Sequence, residues 1–333
     1  MKFPDSLILS RTDNLGDVVL TLPMAGFIKK YSPQTTIYFL GKSYTKAIAT
    51  SCPDIDVFLN YDELKEASEQ EKIAFFRRTN AKAIVHVFPN RLVARLAKKA
   101  NISLRIGTAH RWFHWWYANR LLFFSRRQSD LHESQLNLKL LSPFGDFHLP
   151  SLEEMHHYVR LCPQKQSLPF QLNPNKFNLV LHPKSKGSAR EWGLENFSKL
   201  IAALPPEKYD IYVTGSKEEG VLLKNFLQEH ANRIIDLCGK LSLEAFVYFL
   251  GNVNAIVAAS TGPLHIAAVQ GVKAIGLYAP MRPIFPQRWS PIGTNVKVFV
   301  KNTSCEACRK SGNCMCIKSI SFKDVLQELA ASS

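Results

Sequence analysis

The chain has 333 residues, of which 46% are hydrophobic and 21% are charged, the composition of an ordinary globular protein. Its length predicts two domains. No apolar run approaches the roughly 18 residues that cross a bilayer. The first residues lack the apolar core and cleavage site of a signal peptide, so we expect a cytoplasmic protein. The net charge of +15 fits nucleic acid, an acidic membrane surface or an anionic substrate, and does not choose among them.

The first half of the chain alternates between two patterns. Short apolar runs predict strands at 6–11, 36–41 and 82–89. Helical spacing predicts helices at 18–30, 43–51, 62–79 and 90–100. The stretch 160–178 carries three prolines and little periodicity, which is typical of a linker.

The same alternation restarts after the linker. Strands are predicted at 179–183, 209–215, 234–239, 255–259 and 273–278. Helices are predicted at 194–204, 217–230, 242–251 and from 262 onward. Strand–helix alternation favours a mostly parallel, doubly wound α/β sheet, so we expect two such domains, at 1–160 and 175–333.

The loop R-T-D-N-L-G-D at 11–17 joins a predicted strand to a predicted helix. It therefore lies at the carboxyl end of the sheet, where open α/β sheets bind ligands. Asp17 falls in the first turn of the helix, where an acidic residue is favoured for structure alone. The alternative is that Asp17 is a general base beside a ligand. The loop is not G-x-G-x-x-G, which argues against a dinucleotide site.

A second loop, H-P-K-S-K-G-S-A-R-E-W at 182–192, follows the first strand of the second half. Its small and basic residues can offer backbone N–H groups, hydroxyls and cations to a phosphate. The alternative is a solvated basic loop.

The third segment is A-A-S-T-G-P-L-H-I-A-A at 258–268. An apolar strand ends there, and Pro263 suits the first turn of a following helix. The start of that helix would present N–H groups and a partial positive charge to an anion. The alternative is a capped helix with a core histidine at His265.

Together the three segments resemble glycosyltransferase family 9, the bacterial lipopolysaccharide heptosyltransferases. The family's basic, polar and G-D residues before an apolar helix and T-x-P are matched by R-T-D-N-L-G-D-V-V-L-T-L-P. Its basic-x-Trp is matched by R-E-W at 190–192, and its (D/S)-(T/S)-G-x-x-H-(I/L)-A-A by S-T-G-P-L-H-I-A-A at 260–268. The resemblance covers nearly the whole chain, in order.

The resemblance implies a GT-B fold, in which two Rossmann-like domains face a cleft. It places the acceptor on the first domain and the nucleotide sugar on the second. It implies inverting transfer of a heptose from an ADP-activated donor to the lipopolysaccharide core, with no cofactor or essential metal. Typical heptosyltransferases carry Asp where this chain has Ser260, beside the sugar. The expectation for the sugar is therefore a heptose or a related sugar.

The resemblance also assigns roles by position. Asp17 matches the family's proposed catalytic base. On the donor side, Arg190 matches a lysine that contacts phosphates, Ser185 and Lys186 match the loop along the diphosphate, and Glu219 matches a carboxylate on the adenosine ribose. Ser260, Thr261, Gly262 and His265 match the diphosphate and sugar end of the donor site.

Two alternatives stay open at this point. A sugar-nucleotide epimerase can share the two-domain fold, and it would react with the donor alone. A non-catalytic nucleotide- or glycolipid-binding protein would bind the donor and release no nucleoside diphosphate.

Residues 105–127 interleave aromatic and basic side chains densely. Segments of this kind lie at membrane interfaces, with Trp and Tyr at headgroup depth and Lys or Arg on anionic lipid. We therefore predict peripheral contact with the cytoplasmic face of the inner membrane and with an anionic glycolipid acceptor. The candidates are Arg11, Arg111, Trp112, Trp115, Trp116 and Arg120. Aromatic core packing is the alternative, and we expect no nucleic-acid partner although single strands can use a similar composition.

Four cysteines lie close together near the C-terminus in the pattern C-x2-C-x5-C-x-C: Cys305, Cys308, Cys314 and Cys316. Four thiols at this separation can hold a structural zinc ion, although the last spacing is tighter than in common zinc modules. The alternative is a surface loop of reduced or partly paired thiols.

Overall fold

The structure, a computed structural model, describes residues 1–301 and 314–331. The chain forms two compact units, Met1–Pro163 and Gln164–Ser333. The division falls within the stretch 160–178, whose prolines and weak periodicity predicted a linker. No helix in the described part of the chain is both long enough and apolar enough to cross a bilayer.

The N-terminal unit is built on one parallel sheet. Its described strands are β1 (Ser6–Ser10), β2 (Thr36–Gly41), β3 (Val57–Asn60), β4 (Ala83–His86), β5 (Leu104–Thr108) and β6 (Arg120–Leu122). Their order across the sheet is β3-β2-β1-β4-β5-β6. The α-helices are α1 (Leu15–Val19), α2 (Pro23–Tyr31), α3 (Lys46–Ser51), α4 (Glu69–Arg77), α5 (Arg91–Lys99), α6 (His114–Tyr117) and α7 (Glu133–Leu138).

The C-terminal unit repeats this plan. Its described strands are β7 (Phe177–His182), β8 (Tyr209–Val213), β9 (Ile235–Asp236), β10 (Ala255–Ala259), β11 (Lys273–Tyr278) and β12 (Val296–Val300), in the order β12-β11-β10-β7-β8-β9. Its described α-helices are α8 (Leu194–Ala203), α9 (Lys217–Leu222), α10 (Lys224–Glu229), α11 (Leu243–Leu250), α12 (Gly262–Val269), α13 (Pro286–Trp289), α14 (Met315–Lys318) and α15 (Phe322–Ala330).

Each sheet changes direction at one pair of neighbouring strands. In the first unit β1 and β4 are adjacent, so the chain leaves them toward opposite edges of the sheet. In the second unit β7 and β10 have the same relation. These central strands are almost wholly buried, as expected for parallel strands covered on both faces. The crevice beyond such a switch point is where doubly wound sheets hold ligands, and all three predicted loops lie at these two points.

Two predicted helices are interrupted. The helix predicted at 18–30 is two helices, because Pro23 starts α2 at the residue where its missing N–H costs nothing. The helix predicted at 217–230 is divided at Leu223 into α9 and α10. Strands β3, β5, β6 and β12 were not predicted; β5 and β6 lie largely within the aromatic and basic segment, where charged residues hide the apolar pattern of a strand.

Candidate functional site

The loop after β1 carries a buried cluster of opposite charges. The Arg11 side chain is only 3% exposed. Its Nε donates to Asp13 Oδ1 at 2.8 Å and its Nη2 donates to Asp17 Oδ1 at 2.5 Å. Its Nη1 donates to Glu133 Oε1, at the start of α7, at 3.2 Å. The contact with Arg11 thus holds the Asp17 carboxylate in place, while 16% of the Asp17 side chain stays exposed to solvent.

The local sequence explains why Asp17 sits there. Asn14 is extended and precedes α1, so Gly16 and Asp17 form the first turn of the helix directly beyond the sheet edge. An acidic side chain at this position also suits the helix dipole. The Thr21 hydroxyl donates to the Asp17 carbonyl at 2.8 Å. This hydrogen bond stabilises the C-terminal end of the short helix α1.

Among the described ion pairs of the cluster, carboxylates outnumber guanidinium groups. Arg126 Nη1 donates to the same Glu133 oxygen at 2.5 Å, so two guanidinium groups face three carboxylates. Burial raises the pKa of Asp13 to about 6, and the Asp17 charge adds to this shift while Arg11 opposes it. Burial alone would lower the pKa of Arg11, but the surrounding carboxylates outweigh it and the pKa lies above its ordinary value. Arg11 therefore stays charged.

This placement changes the role expected of Arg11. The sequence grouped it with the residues that contact acceptor or membrane. A guanidinium that is buried and bonded to three carboxylates does not present its charge to a lipid surface. Arg11 instead positions Asp17. No spacing of residues in the sequence predicted these contacts.

A neutral polar cluster lies beside this loop. His86 ends β4 and pairs in register with Ser10 at the end of β1. Burial lowers the pKa of His86 to about 3, so the ring is uncharged near neutral pH. Neither His86 ring nitrogen nor the Ser10 hydroxyl has a hydrogen-bond partner among the described residues. His114 stacks on His86 with ring centroids 5.4 Å apart.

In the C-terminal unit the loop after β7 begins at a second buried histidine. The His182 Nδ1 lies 2.9 Å from Thr214 Oγ1. Burial lowers the pKa of His182 to about 4, although Glu219 and Glu191 oppose the shift. The loop then turns through Lys186 and Gly187, both with left-handed backbone, at φ +47° and +79°. A non-glycine residue in that region is strained, which is common where a loop is shaped for a ligand.

The same loop is braced internally. Ser185 is buried, its hydroxyl donates to the Ala189 carbonyl at 2.9 Å, and its backbone N–H donates to Glu191 Oε1 at 3.2 Å. Lys184 pairs with Glu191 at 2.6 Å. The geometry therefore gives Ser185 a bracing role in the loop, and its donor contact stays a prediction. Lys186 is exposed, 3.9 Å from Glu218.

A cavity of about 500 Å³ opens between this loop and the start of α9. Its lining includes Lys184, Lys186, Glu191, Glu219 and Leu222. Glu219 is buried and also closes the first turn of α9, since its Oε2 accepts the Ser216 N–H at 2.8 Å. A volume of this size is typical of a small-molecule site.

The third predicted segment lies at the other side of this switch point. Thr261 precedes α12 but makes no side-chain cap bond, so the first N–H groups of the helix are not capped by it. Its buried Oγ1 has no hydrogen-bond partner among the described residues. Gly262 and Pro263 open the helix, and His265 is buried in its first turn. An uncapped helix start is a site for an anion.

Ser260 and the R-E-W motif have distinct surroundings. Ser260 lies near the Tyr278 hydroxyl, which donates to the Trp289 carbonyl at 2.6 Å. Trp192 is 1% exposed and donates from Nε1 to the Ile320 carbonyl at 2.9 Å. The tryptophan of the motif is thus a core anchor that ties the loop to the C-terminal helices, with half-buried Arg190 two residues before it.

The aromatic candidates lie on the surface of the N-terminal unit. Trp112, Trp115 and Trp116 are 59%, 57% and 64% exposed, so the alternative of aromatic core packing is wrong for these three. Arg111 and Arg120 are exposed beside them.

The cysteine cluster is only partly described. Cys305 and Cys308 lie outside the described residues. Cys314 belongs to the apolar core of the C-terminal unit, and Cys316 packs against that core. The described residues contain no group of three or more side chains that could hold a metal ion. The zinc site stays a prediction, which elemental analysis of the purified protein tests.

Sequence reasoning missed Asp13, Glu133 and Arg126 in the first cluster, and Lys184 and Glu191 in the second. Asp13 was visible as a further acid in the same loop. Glu133 carried no signal, because its contact with Arg11 joins positions 122 residues apart. Lys184 and Glu191 lay inside the basic loop, where no motif distinguished them.

Three comparisons bear on family and fold. The profile of glycosyltransferase family 9 (heptosyltransferase) matches residues 67–317. A Haemophilus influenzae protein named only as a glycosyltransferase is 27% identical over 302 residues, 86% of each chain. The lipopolysaccharide core heptosyltransferase OpsX of that organism is 21% identical over 346 residues, covering 98% of this chain and 94% of its own. The solved E. coli ADP-heptose lipopolysaccharide heptosyltransferase II has a TM-score of 0.77 at 16% identity, covering 99% of this chain and 98% of that one. This likeness confirms the two-domain α/β fold of GT-B type.

Proposed function

The chain belongs to glycosyltransferase family 9, and we propose that it is an inverting transferase that moves a heptose, or a related sugar, from ADP-heptose to the lipopolysaccharide core. The proposed acceptor is an anionic glycolipid. The relative with a TM-score of 0.77 is named for ADP-heptose, and the chain's own residues supply the chemistry that such a donor needs.

The uncapped start of α12 carries the proposal. Its backbone N–H groups and the Thr261 hydroxyl, which has no partner among the described residues, both lie at the β7–β10 switch point. A diphosphate accepts hydrogen bonds from both kinds of group, and the helix dipole favours its charge. In the proposed complex Lys186 and Arg190 add cationic partners, and His265 lies at the sugar end.

The nearby cavity suits the nucleoside. Glu219 lines it with a carboxylate that can accept hydrogen bonds from the ribose hydroxyls. Leu222 lines it with an exposed apolar side chain, which can cover one face of a base. The lysines of the lining lie on the loop that we assign to the diphosphate.

The proposed reaction is a single displacement at the anomeric carbon. The acceptor hydroxyl forms the new C–O bond as the bond to the diphosphate breaks on the opposite face. Asp17 takes the hydroxyl proton as general base. The electron pair leaves with the nucleoside diphosphate, whose growing charge the N–H groups and cations stabilise. Because these groups serve the leaving diphosphate, we propose that turnover needs no added metal and survives a chelator.

The test is release of nucleoside diphosphate from purified protein given ADP-heptose, GDP-sugars or UDP-sugars, each with and without a lipopolysaccharide-core acceptor. The proposal expects ADP release that depends on the acceptor. Conversion of the donor without acceptor would indicate an epimerase. Donor binding with no release under any condition would indicate a non-catalytic binding protein, and either outcome overturns the proposal.

A further inference from the structure

Four large aromatic side chains of the N-terminal unit, all within 112–123, are exposed. These are Trp112, Trp115, Trp116 and Phe123, the last 75% exposed. They form two edge-to-face pairs: Trp112 with Trp116, and Trp115 with Phe123, each with centroids 6.0 Å apart. A contiguous group of exposed aromatic rings is uncommon on a protein that remains alone in water, and marks an interaction surface.

The fold holds these rings outward. Phe113 and His114 point inward from the same short segment and are buried. Gly107 makes room for His114, since a Cβ at position 107 would lie 2.6 Å from its Nδ1. Trp115 Nε1 donates to the Ala109 carbonyl at 2.9 Å, which fixes the direction of that indole. The outward rings therefore sit on a rigid base.

The charge around these rings has one sign. From Lys72 to Ser129 the sequence contains thirteen lysines and arginines and no aspartate or glutamate. Arg91 lies over the Trp112 ring at 4.9 Å, and Lys98 donates to the Trp116 carbonyl at 2.9 Å. Glu69 at the start of α4 forms ion pairs with Arg95 and Lys99, both on α5. Arg91, Lys98, Arg111 and Arg120 have no ion-pair partner in the described part of the chain.

We propose that this aromatic–cationic surface docks the protein on an anionic phospholipid bilayer. Indole rings favour the headgroup region, where the apolar ring and the polar N–H are both accommodated. Arginine and lysine beside them are attracted to anionic headgroups. Neither feature alone selects a bilayer, but rigid exposed indoles inside a wholly cationic segment match both properties of its surface. The inference deepens the proposed function, because a glycolipid acceptor lies in a membrane.

The experiment measures flotation of the full-length protein with phosphatidylcholine vesicles, with and without phosphatidylglycerol. Neither donor nor acceptor is present, so failure of docking and failure of the transferase proposal are distinguishable. We expect binding to anionic vesicles that exceeds binding to neutral ones by about tenfold or more and weakens with salt. Tryptophan emission should shift to shorter wavelength on binding.

Two variants and two matched controls locate the surface. Trp112→Ser with Trp116→Ser should lower vesicle binding by about tenfold or more and reduce the emission shift. Arg91→Gln with Arg111→Gln should lower binding to anionic vesicles alone. Val221→Ser removes an apolar side chain from the other unit, where Val221 is 72% exposed, and Lys208→Gln with Lys323→Gln removes two exposed charges there. Both controls should bind as the unaltered protein does. Circular dichroism verifies that every variant is folded.

Three results would overturn the inference: no vesicle binding, equal binding to both vesicle types, or variants that bind like their controls. If vesicle binding is absent, binding of single-stranded nucleic acid or of a second copy of the chain through these rings would assign the surface to that partner instead.

Discussion

The two units share one strand order and differ in what lies at its switch point. Beyond β1 and β4 the crevice holds a buried arginine among three carboxylates, and two of these, Asp13 and Asp17, are partly exposed to solvent. Beyond β7 and β10 it holds an uncapped helix start, an unpartnered hydroxyl and a loop with lysines. The backbone topology thus supplies only a crevice. Side chains make one crevice suited to accepting a proton and the other suited to an anion.

The buried histidines extend this comparison. His86 and His182 each end a central strand, and burial lowers both pKa values, to about 3 and about 4. His182 is hydrogen-bonded to Thr214, whereas both nitrogens of His86 lack partners among the described residues. The first unit also contains Asp13, whose pKa is raised to about 6. The two units should therefore respond differently to acid.

The largest expected effect is on stability, and it distinguishes the buried cluster around Arg11 from the Lys184–Glu191 pair. Arg11→Leu leaves buried carboxylates without their shared cation, and should lower the free energy of unfolding by about 3–5 kcal/mol. Lys184→Met breaks a pair whose side chains are 21% and 32% exposed. It should cost about 1 kcal/mol or less. Urea unfolding followed by circular dichroism measures the free energy of unfolding of both variants. Equal decreases in the two variants would contradict the larger contribution assigned to the buried Arg11 cluster.

The next largest effect is the loss of stability at acid pH that is due to the two buried histidines. An unfolded imidazole takes up a proton below about pH 6.5, but His86 does so only near 3 and His182 near 4. Each therefore contributes stability that is present above about 6.5 and lost as pH falls toward the folded value. Between pH 7 and 5 each accounts for about 2 kcal/mol. In His86→Asn and in His182→Asn, the decrease in unfolding free energy between pH 7 and 5 should in each case be smaller by that amount.

Asp13 should act in the opposite direction. Its folded pKa lies above the unfolded value, so its contribution is present at low pH and is lost as pH rises through about 6. As pH falls from 7 to 5, the contribution of Asp13 therefore offsets part of the stability that is lost through His86. Asp13→Asn should therefore steepen the loss of stability between pH 7 and 5 by about 1 kcal/mol. An unchanged slope would contradict the raised pKa.

The smallest effect concerns single hydroxyl groups. Thr261→Val should weaken ADP binding about tenfold, or about 1.4 kcal/mol, because the hydroxyl is assigned to the diphosphate. It should leave stability unchanged, since that hydroxyl has no partner among the described residues. Thr21→Val removes a hydroxyl bonded to the Asp17 carbonyl, and should lower stability without changing ADP affinity. Titration calorimetry and urea unfolding separate the two; ADP affinity unchanged in Thr261→Val would contradict the anion site.

The sequence predicted most of the fold and named candidate residues at both switch points. Strand–helix alternation predicted the sheets because buried parallel strands are apolar along their whole length, as in β1 and β10. It missed β6, which is short and begins with Arg120. Asp17 and Thr261 could be named as candidates because loops that follow central strands of a parallel sheet are ligand positions. Glu133 was missed because only folding brings it to Arg11, and the burial of Arg11 followed from that contact.

The most direct test of the account compares Asp17→Asn with the unaltered protein. Asparagine keeps the shape and the hydrogen bond to Arg11 but cannot take the proton. ADP release in the presence of acceptor should fall by about 10²–10⁴-fold, while ADP affinity, which we assign to the other unit, should change by less than about twofold. Turnover within about threefold of the unaltered protein, with ADP binding intact, would contradict the assignment of Asp17 as the base.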